Sequence, residues 1–152
     1  MKLEEAQKTA EEFVELIRPY CSKIEVCGSI RRKKDDVKDI DIVITLKNSH
    51  LPIGLIPGII IVKKGKKLIE LEYKRKQIDI YIATDENFEV LKMIRTGSAN
   101  FNKMLCMKAI EKGWRLKFDM GLVNGYGNVI ANTEEGILKN LLGDNVKPED
   151  RR

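Results

Sequence analysis

The amino-acid pattern predicts an α+β fold: a mixed β-sheet with helices on one face, followed by a small C-terminal α/β subdomain. Three observations carry this. An amphipathic segment opens the chain. Runs rich in β-branched residues alternate apolar and polar positions at residues 39–45, 68–73 and 77–83. After Asp85 the composition shifts to helical patterns separated by short strands. At 152 residues, 43% of them hydrophobic, the chain suits one domain or two small subdomains with a shared core.

Along the chain, Leu3, Ala6, Ala10, Phe13, Val14 and Ile17 recur at helical spacing, so residues 3–20 are expected to form a helix that Pro19 limits. Residues 24–27 alternate as a short strand, broken by Gly28-Ser29 and followed by a short basic helix or turn. In the strand at 39–45, Ile40, Ile42 and Ile44 share one face, and Asp39 and Asp41 the other. In the strand at 77–83, Ile78, Ile80 and Ile82 leave Asp79 on the opposite face. Residues 59–62 and 68–73 form a hairpin about the turn at 63–67. Residues 88–95 form a helix, and Ser98 caps another over 99–112 that Gly113 ends. Short strands follow at 114–118, 122–124 and 129–131, and Thr133 caps a last helix, 134–142, stopped by Gly143. Residues 1–90 and 91–152 make the two parts, hinged at 85–96.

Charge and cysteine usage narrow the class. Lys and Arg number 28 against 23 Asp and Glu, a net charge of +5. They cluster at 31–34, 63–67 and 74–76, which suits polyphosphate or nucleic-acid partners. Cys21, Cys27 and Cys106 form no C-x-x-C pair and are expected as reduced thiols. No apolar run approaches the roughly 20 residues needed to span a bilayer. The expectation is a monomer, cytoplasmic or nuclear in a eukaryote, with no membrane partner.

Asp39, Asp41 and Asp79 converging on one sheet face repel one another unless a cation neutralises them. Mg²⁺ prefers such oxygen ligands and shares them with substrate phosphates. Gly28-Ser29, at a strand-to-helix turn, offers backbone N–H groups and a hydroxyl to an anion, and Arg32 can grip the same anion. Gly-Ser, Arg and Asp-x-Asp within fourteen residues therefore place a triphosphate grip beside a metal site.

These residues resemble a known pattern. Gly28-Ser29-Ile30-Arg31-Arg32 followed by Asp39-Ile40-Asp41 is similar to the G-S-x-R-R…D-x-D motif of the DNA polymerase β superfamily. Ile78-Asp79-Ile80 resembles its third-aspartate strand. Thr96-Gly97-Ser98, with Phe101-Asn102-Lys103, resembles the T-G-S…F-N-K segment of family X DNA polymerases. The C-terminal stretch from Thr133 is also similar, so the likeness covers nearly the whole chain. It is to a minimal form without the N-terminal lyase domain.

The resemblance implies a nucleotidyltransferase palm over 1–90 and a nucleotide-binding subdomain over 91–152. It implies a DNA polymerase extending a primer 3′-hydroxyl with two Mg²⁺ ions, Mn²⁺ substituting, on primer-template or gapped DNA, in repair or short gap filling. By that likeness Asp39, Asp41 and Asp79 hold the metals. Gly28, Ser29 and Arg32 hold the β and γ phosphates, Thr96 and Gly97 lie beside the sugar, and Asn102 meets the base of a nucleoside triphosphate. The chain departs from the family at Ile94-Arg95, where an aromatic pair is common, at Cys106, and at Gln77 and Tyr81. The Ile94-Arg95 departure keeps open a template-independent or RNA-directed nucleotidyltransferase, and a further alternative from another class is an inactive nucleic-acid-binding module.

Overall fold

The computed structural model describes residues 1–152. Helix α1, Leu3–Ile17, buries Ala6, Ala10, Phe13, Val14 and Ile17 along one stripe. Its expected extension to Tyr20 is instead a 3-10 turn, Arg18–Tyr20, because Pro19 has no N–H to continue the helix ladder.

Strand β1 (Cys21–Val26), the single turn α2 (Gly28–Arg31), β2 (Ile40–Leu46), β3 (Ile59–Lys64), β4 (Leu68–Tyr73) and β5 (Lys76–Ile82) follow. The five strands form one sheet in the order β1-β2-β5-β4-β3. Strands β2 and β5 are parallel neighbours, whereas β1/β2, β4/β5 and β3/β4 pair antiparallel. The sheet is mixed, as expected. Ile40, Ile42, Ile44, Ile69, Leu71, Ile78 and Ile80 point to one face and pack against α1. Each side chain so buried contributes about 1.5–3 kcal/mol.

The opposite face is not bare, which corrects the expectation of helices on one face only. Helix α3, Phe88–Thr96, lies over its Val43 corner, where Phe88 packs with Cys27, Val43 and Ala83. Val43 is apolar on the face that also carries Asp41, and a buried apolar residue there needs a cover. From Val90 onward the same helix enters a second core with α4 (Ala99–Glu111) and α5 (Glu134–Leu142). Thus α3 belongs to both cores, and residue 90 falls inside it.

The second part carries β6 (Arg115–Lys117), β7 (Gly121–Val123) and β8 (Val129–Ala131) as an antiparallel sheet. With no parallel pair this subdomain is α+β, not the expected α/β. Its helix ends follow from local chemistry. Ser98 accepts from Phe101 N at 3.1 Å and Thr133 from Gly136 N at 3.0 Å. No helix is long and apolar enough to cross a membrane.

A buried ion cluster joins the two parts. Arg31 on α2 donates from both terminal nitrogens to the two oxygens of Glu134 on α5, each at 2.7 Å. Arg151, only 2% exposed, donates to the same carboxylate at 2.9 Å and gives its other N–H groups to Val146 O. Burial works against charge at Glu134, but the bonds from Arg31 and Arg151 outweigh it and hold the carboxyl down at about 2. The stability it contributes is therefore complete above its ordinary value of 4.5 and lost as pH falls from there toward 2. Glu134→Ala leaves two guanidiniums facing each other in the interior. It should cost about 3–5 kcal/mol in urea unfolding at neutral pH, and the difference from wild type should shrink below pH 4.5.

Candidate active site

Strand register gathers the carboxylates. In the parallel β2/β5 pair, Asp41 stands directly beside Asp79, and the isoleucines on either side of each point into the core. Asp39 does not lie within the strand as expected. Strand β2 begins at Ile40, and Asp39 sits in the bend before it. Burial, then the charges of Asp79 and Asp39, push the Asp41 carboxyl up to about 6. Burial also raises Asp79, a bond from Gln77 lowers it, and the charges of Asp39 and Glu70 raise it further.

Glu70 was not singled out by sequence reasoning. It faces Asp79 across the β4/β5 pair and is itself paired with Lys63, so one row crosses the sheet as Lys63, Glu70, Asp79 and Asp41. The alternation in Ile69-Glu70-Leu71-Glu72-Tyr73 was the available signal.

Gly28 explains the first glycine of the motif. Its φ is +60°, and a Cβ there would lie 2.2 Å from Asp41 Oδ2. The neighbouring Cys27 N donates to Asp41 O at 2.7 Å, which holds turn and strand together. Helix α2 is only one turn long, so what it offers an anion is local N–H groups and the Ser29 hydroxyl. The second motif meets this turn through Arg32. Its Nη1 donates to Thr96 O at 2.6 Å, and its buried Nε has no partner. Gly97 has φ +72°, and a Cβ there would lie 2.9 Å from Arg32 Nη1. The Gly97–Ser98 peptide is cis.

The result is one cleft of about 250 Å³ lined by Gly28, Ser29, Arg32, Asp41, Gly97 and Asn102. Asn102 donates from Nδ2 to Ile94 O at 2.8 Å, while its buried Oδ1 lacks a donor. Asp39 and Asp79 lie outside this cleft's lining, Asp79 beside Asp41 on the sheet and Asp39 in the bend before β2. Thr96 also departs from expectation. It is fully buried, its hydroxyl accepts from Arg31 at 2.8 Å and donates to Lys92 O at 2.6 Å, and only its carbonyl serves the site, through Arg32.

Tyr81, Ile94, Arg95 and Ala99 complete the lining. The Arg95 guanidinium stacks on the Tyr81 ring at 4.1 Å. Burial, then the charge of Asp41, pushes the Tyr81 phenol up to about 12. Arg95 is the cation that offsets the charges of Asp41 and Asp79. The thiols take no part in this chemistry: burial pushes Cys27 up to about 12 and Cys21 up to about 11, so both stay protonated. A larger cleft of about 710 Å³ lies at the far end of β2 and β5, around Lys47, His50 and Gly65, and includes none of the three aspartates.

No group of three His, Cys, Asp or Glu side chains is drawn together as a ready-made metal cage. The donor set nevertheless suits a hard divalent cation. It is all oxygen, its members repel one another, and Mg²⁺ completes its shell with water and substrate phosphates. Comparison with protein-family models finds no match, and comparison with curated proteins finds none.

Because the folded-state value of Asp41 is raised, its ionisation destabilises the fold, a penalty that is absent below its ordinary value of 3.8 and complete above about 6. In EDTA at pH 7.5, Asp41→Asn should therefore stabilise the protein by up to about 2–3 kcal/mol. The advantage should fade as pH falls from about 6 to 4, measured by thermal unfolding across that range.

Proposed function

We propose that this chain is a nucleotidyltransferase of the family X DNA polymerase type, with a palm over 1–90 and a nucleotide-binding part over 91–152. It adds nucleotides to a primer 3′-hydroxyl on primer-template or gapped DNA, as in short gap filling during DNA repair. The observation that carries the reading is the single cleft in which Gly28, Ser29, Arg32 and Asp41 meet Gly97 and Asn102. Two motifs distant in sequence become one polar cavity beside a row of carboxylates.

In this reading Ser29, the N–H groups of its turn and Arg32 hold the β and γ phosphates of a nucleoside triphosphate. Arg32 is already aimed by its bond to Thr96 O, so little ordering is left for substrate binding. The Asn102 Oδ1, buried without a donor, accepts from the incoming nucleotide. Asp39, Asp41 and Asp79 would hold two Mg²⁺ or Mn²⁺ ions. Those cations supply charge neutralisation at the attacking and leaving oxygens of an in-line displacement. Asp79, whose affinity for a proton is raised by its burial and by its acidic neighbours, takes the proton of the attacking hydroxyl.

One observation favours a second reading within the same chemistry. The wall beside the expected sugar position is built from Ile94, Arg95, Gly97 and Ala99, with no aromatic pair. That wall offers little to reject a 2′-hydroxyl, which suits a template-independent or RNA-directed enzyme.

The test is extension of labelled single-stranded, recessed and gapped primers with deoxynucleotides and ribonucleotides separately, in Mg²⁺ and in Mn²⁺. Recessed or gapped primers should be extended, and Asp41→Ala should lower the rate by about 10³-fold or more. Extension of single strands alone selects the second reading. No extension of any substrate leaves only a nucleic-acid-binding module. Asn102→Ala should raise KM for the nucleotide with a smaller change in kcat, measured by single-nucleotide incorporation.

A further inference from the structure

The phosphate grip does not end at Arg32. Arg32 also lines a second hollow, of about 520 Å³, with no hydrophobic residue in its lining. Arg32, Lys33, Lys34 and Arg152 bring four cations to it, against the two carboxylates of Asp35 and Glu149. Ser98 and Asn100, from the second part of the chain, add neutral hydrogen-bonding groups. The hollow therefore straddles the seam, as the cleft does.

Its basic wall is built into the backbone. Lys33 holds φ at +57°, an uncommon conformation for a residue with a side chain. Lys33 N donates to Ile30 O and Lys34 N to Ser29 O, each at 3.0 Å, so the two lysines leave the same turn that carries Ser29 and Arg32. Lys33 Nζ lies 3.8 Å from Glu149 Oε1, while Lys34 and Arg152 are exposed and form no ion pair.

We infer that this hollow binds inorganic pyrophosphate, the leaving group of the proposed reaction, as a site distinct from the triphosphate grip. The inference rests on the nucleotidyltransferase reading. In that reaction the primer 3′-oxygen forms a bond to the α-phosphorus, and its proton passes to Asp79. The bond from the α-phosphorus to the bridging oxygen breaks, and its electron pair leaves on pyrophosphate. The cleft that releases this polyanion is bordered by Asp41, with Asp79 beside it. In the hollow cations outnumber carboxylates, and Arg32 lines both, so a polyanion released in the cleft lies next to a basic site.

The experiment is calorimetric titration of the full chain, in EDTA, with pyrophosphate, orthophosphate and a single-stranded oligonucleotide. Wild type is compared with Lys34→Glu/Arg152→Glu, two exposed positions, with thermal unfolding as the check on folding. A second variant, Lys34→Gln, covers the case in which the double variant does not fold. Wild type should bind pyrophosphate more tightly than orthophosphate, and the double variant should lose about tenfold or more in affinity. Lys34→Gln should lose less, in the same direction. Unchanged pyrophosphate affinity in a folded variant overturns the site, as does no binding by wild type, or loss confined to the oligonucleotide. The outcomes are separable from those above. A protein that binds pyrophosphate through Lys34 and Arg152 but extends no primer keeps the site and loses the polymerase reading. A protein that extends primers while the variant binds pyrophosphate as wild type does loses only the site.

Discussion

Asp41 and the backbone at Gly28 compete for one small volume, and the candidate site is built around that competition. The carboxylate Oδ2 stands where any Cβ at residue 28 would have to be. The chain can turn there only with glycine, in a left-handed conformation that glycine alone adopts without strain. Because the turn lies this close to β2, Ser29 and Arg32 emerge beside the carboxylates and not above them. Because Arg32 emerges there, it reaches Thr96 O, and Gly97 must in turn lack a side chain to leave room. One steric constraint thus propagates through two glycines and an arginine to bring distant segments together.

Two carboxylates show how environment divides structural from chemical roles. Glu134 and Asp41 are both removed from water, and burial disfavours the charged form of each. Glu134 meets two arginines, is held at about 2, and is fully satisfied by the protein. Asp41 meets Asp79 and Asp39, is pushed up to about 6, and is left with a charge that the protein offsets only in part, through Arg95 and a bond from Tyr81. A perturbed group without sufficient internal partners is what a site for external cations requires. The neighbouring hollow carries the opposite excess, so the seam is polarised from one end to the other.

Much of this was legible in the sequence where the signal is local. Alternation in residues 40–44 and 78–80 located β2 and β5 and the faces of Asp41 and Asp79. Ser98, Thr133 and Gly143 marked helix ends because caps act within a few residues. The rest depends on distant partners. Asp39 left the strand because the bend after α2 uses it, which alternation cannot register. Helix α3 was expected, but not its place on the second face, since Val43 resembles any buried strand residue until Phe88 is known to meet it. Glu134 looked like an ordinary acidic residue in a helix first turn. Its pairing with Arg31 spans 103 positions and leaves no periodic trace. Thr96 matched a motif by identity, yet its side chain serves the fold and only its carbonyl serves the site.

Arg31 and Arg32 are adjacent, leave the same turn, and both grip the second part of the chain. Arg31 takes Glu134 and the Thr96 hydroxyl, and Arg32 takes the Thr96 carbonyl. A single fastening lets two bodies swivel about it. Two fastenings side by side, with α3 running through both cores, resist torsion as well as separation. Arg32 lines both the cleft and the hollow, so one of the fastenings that tie the parts together is also a wall shared by the two cavities.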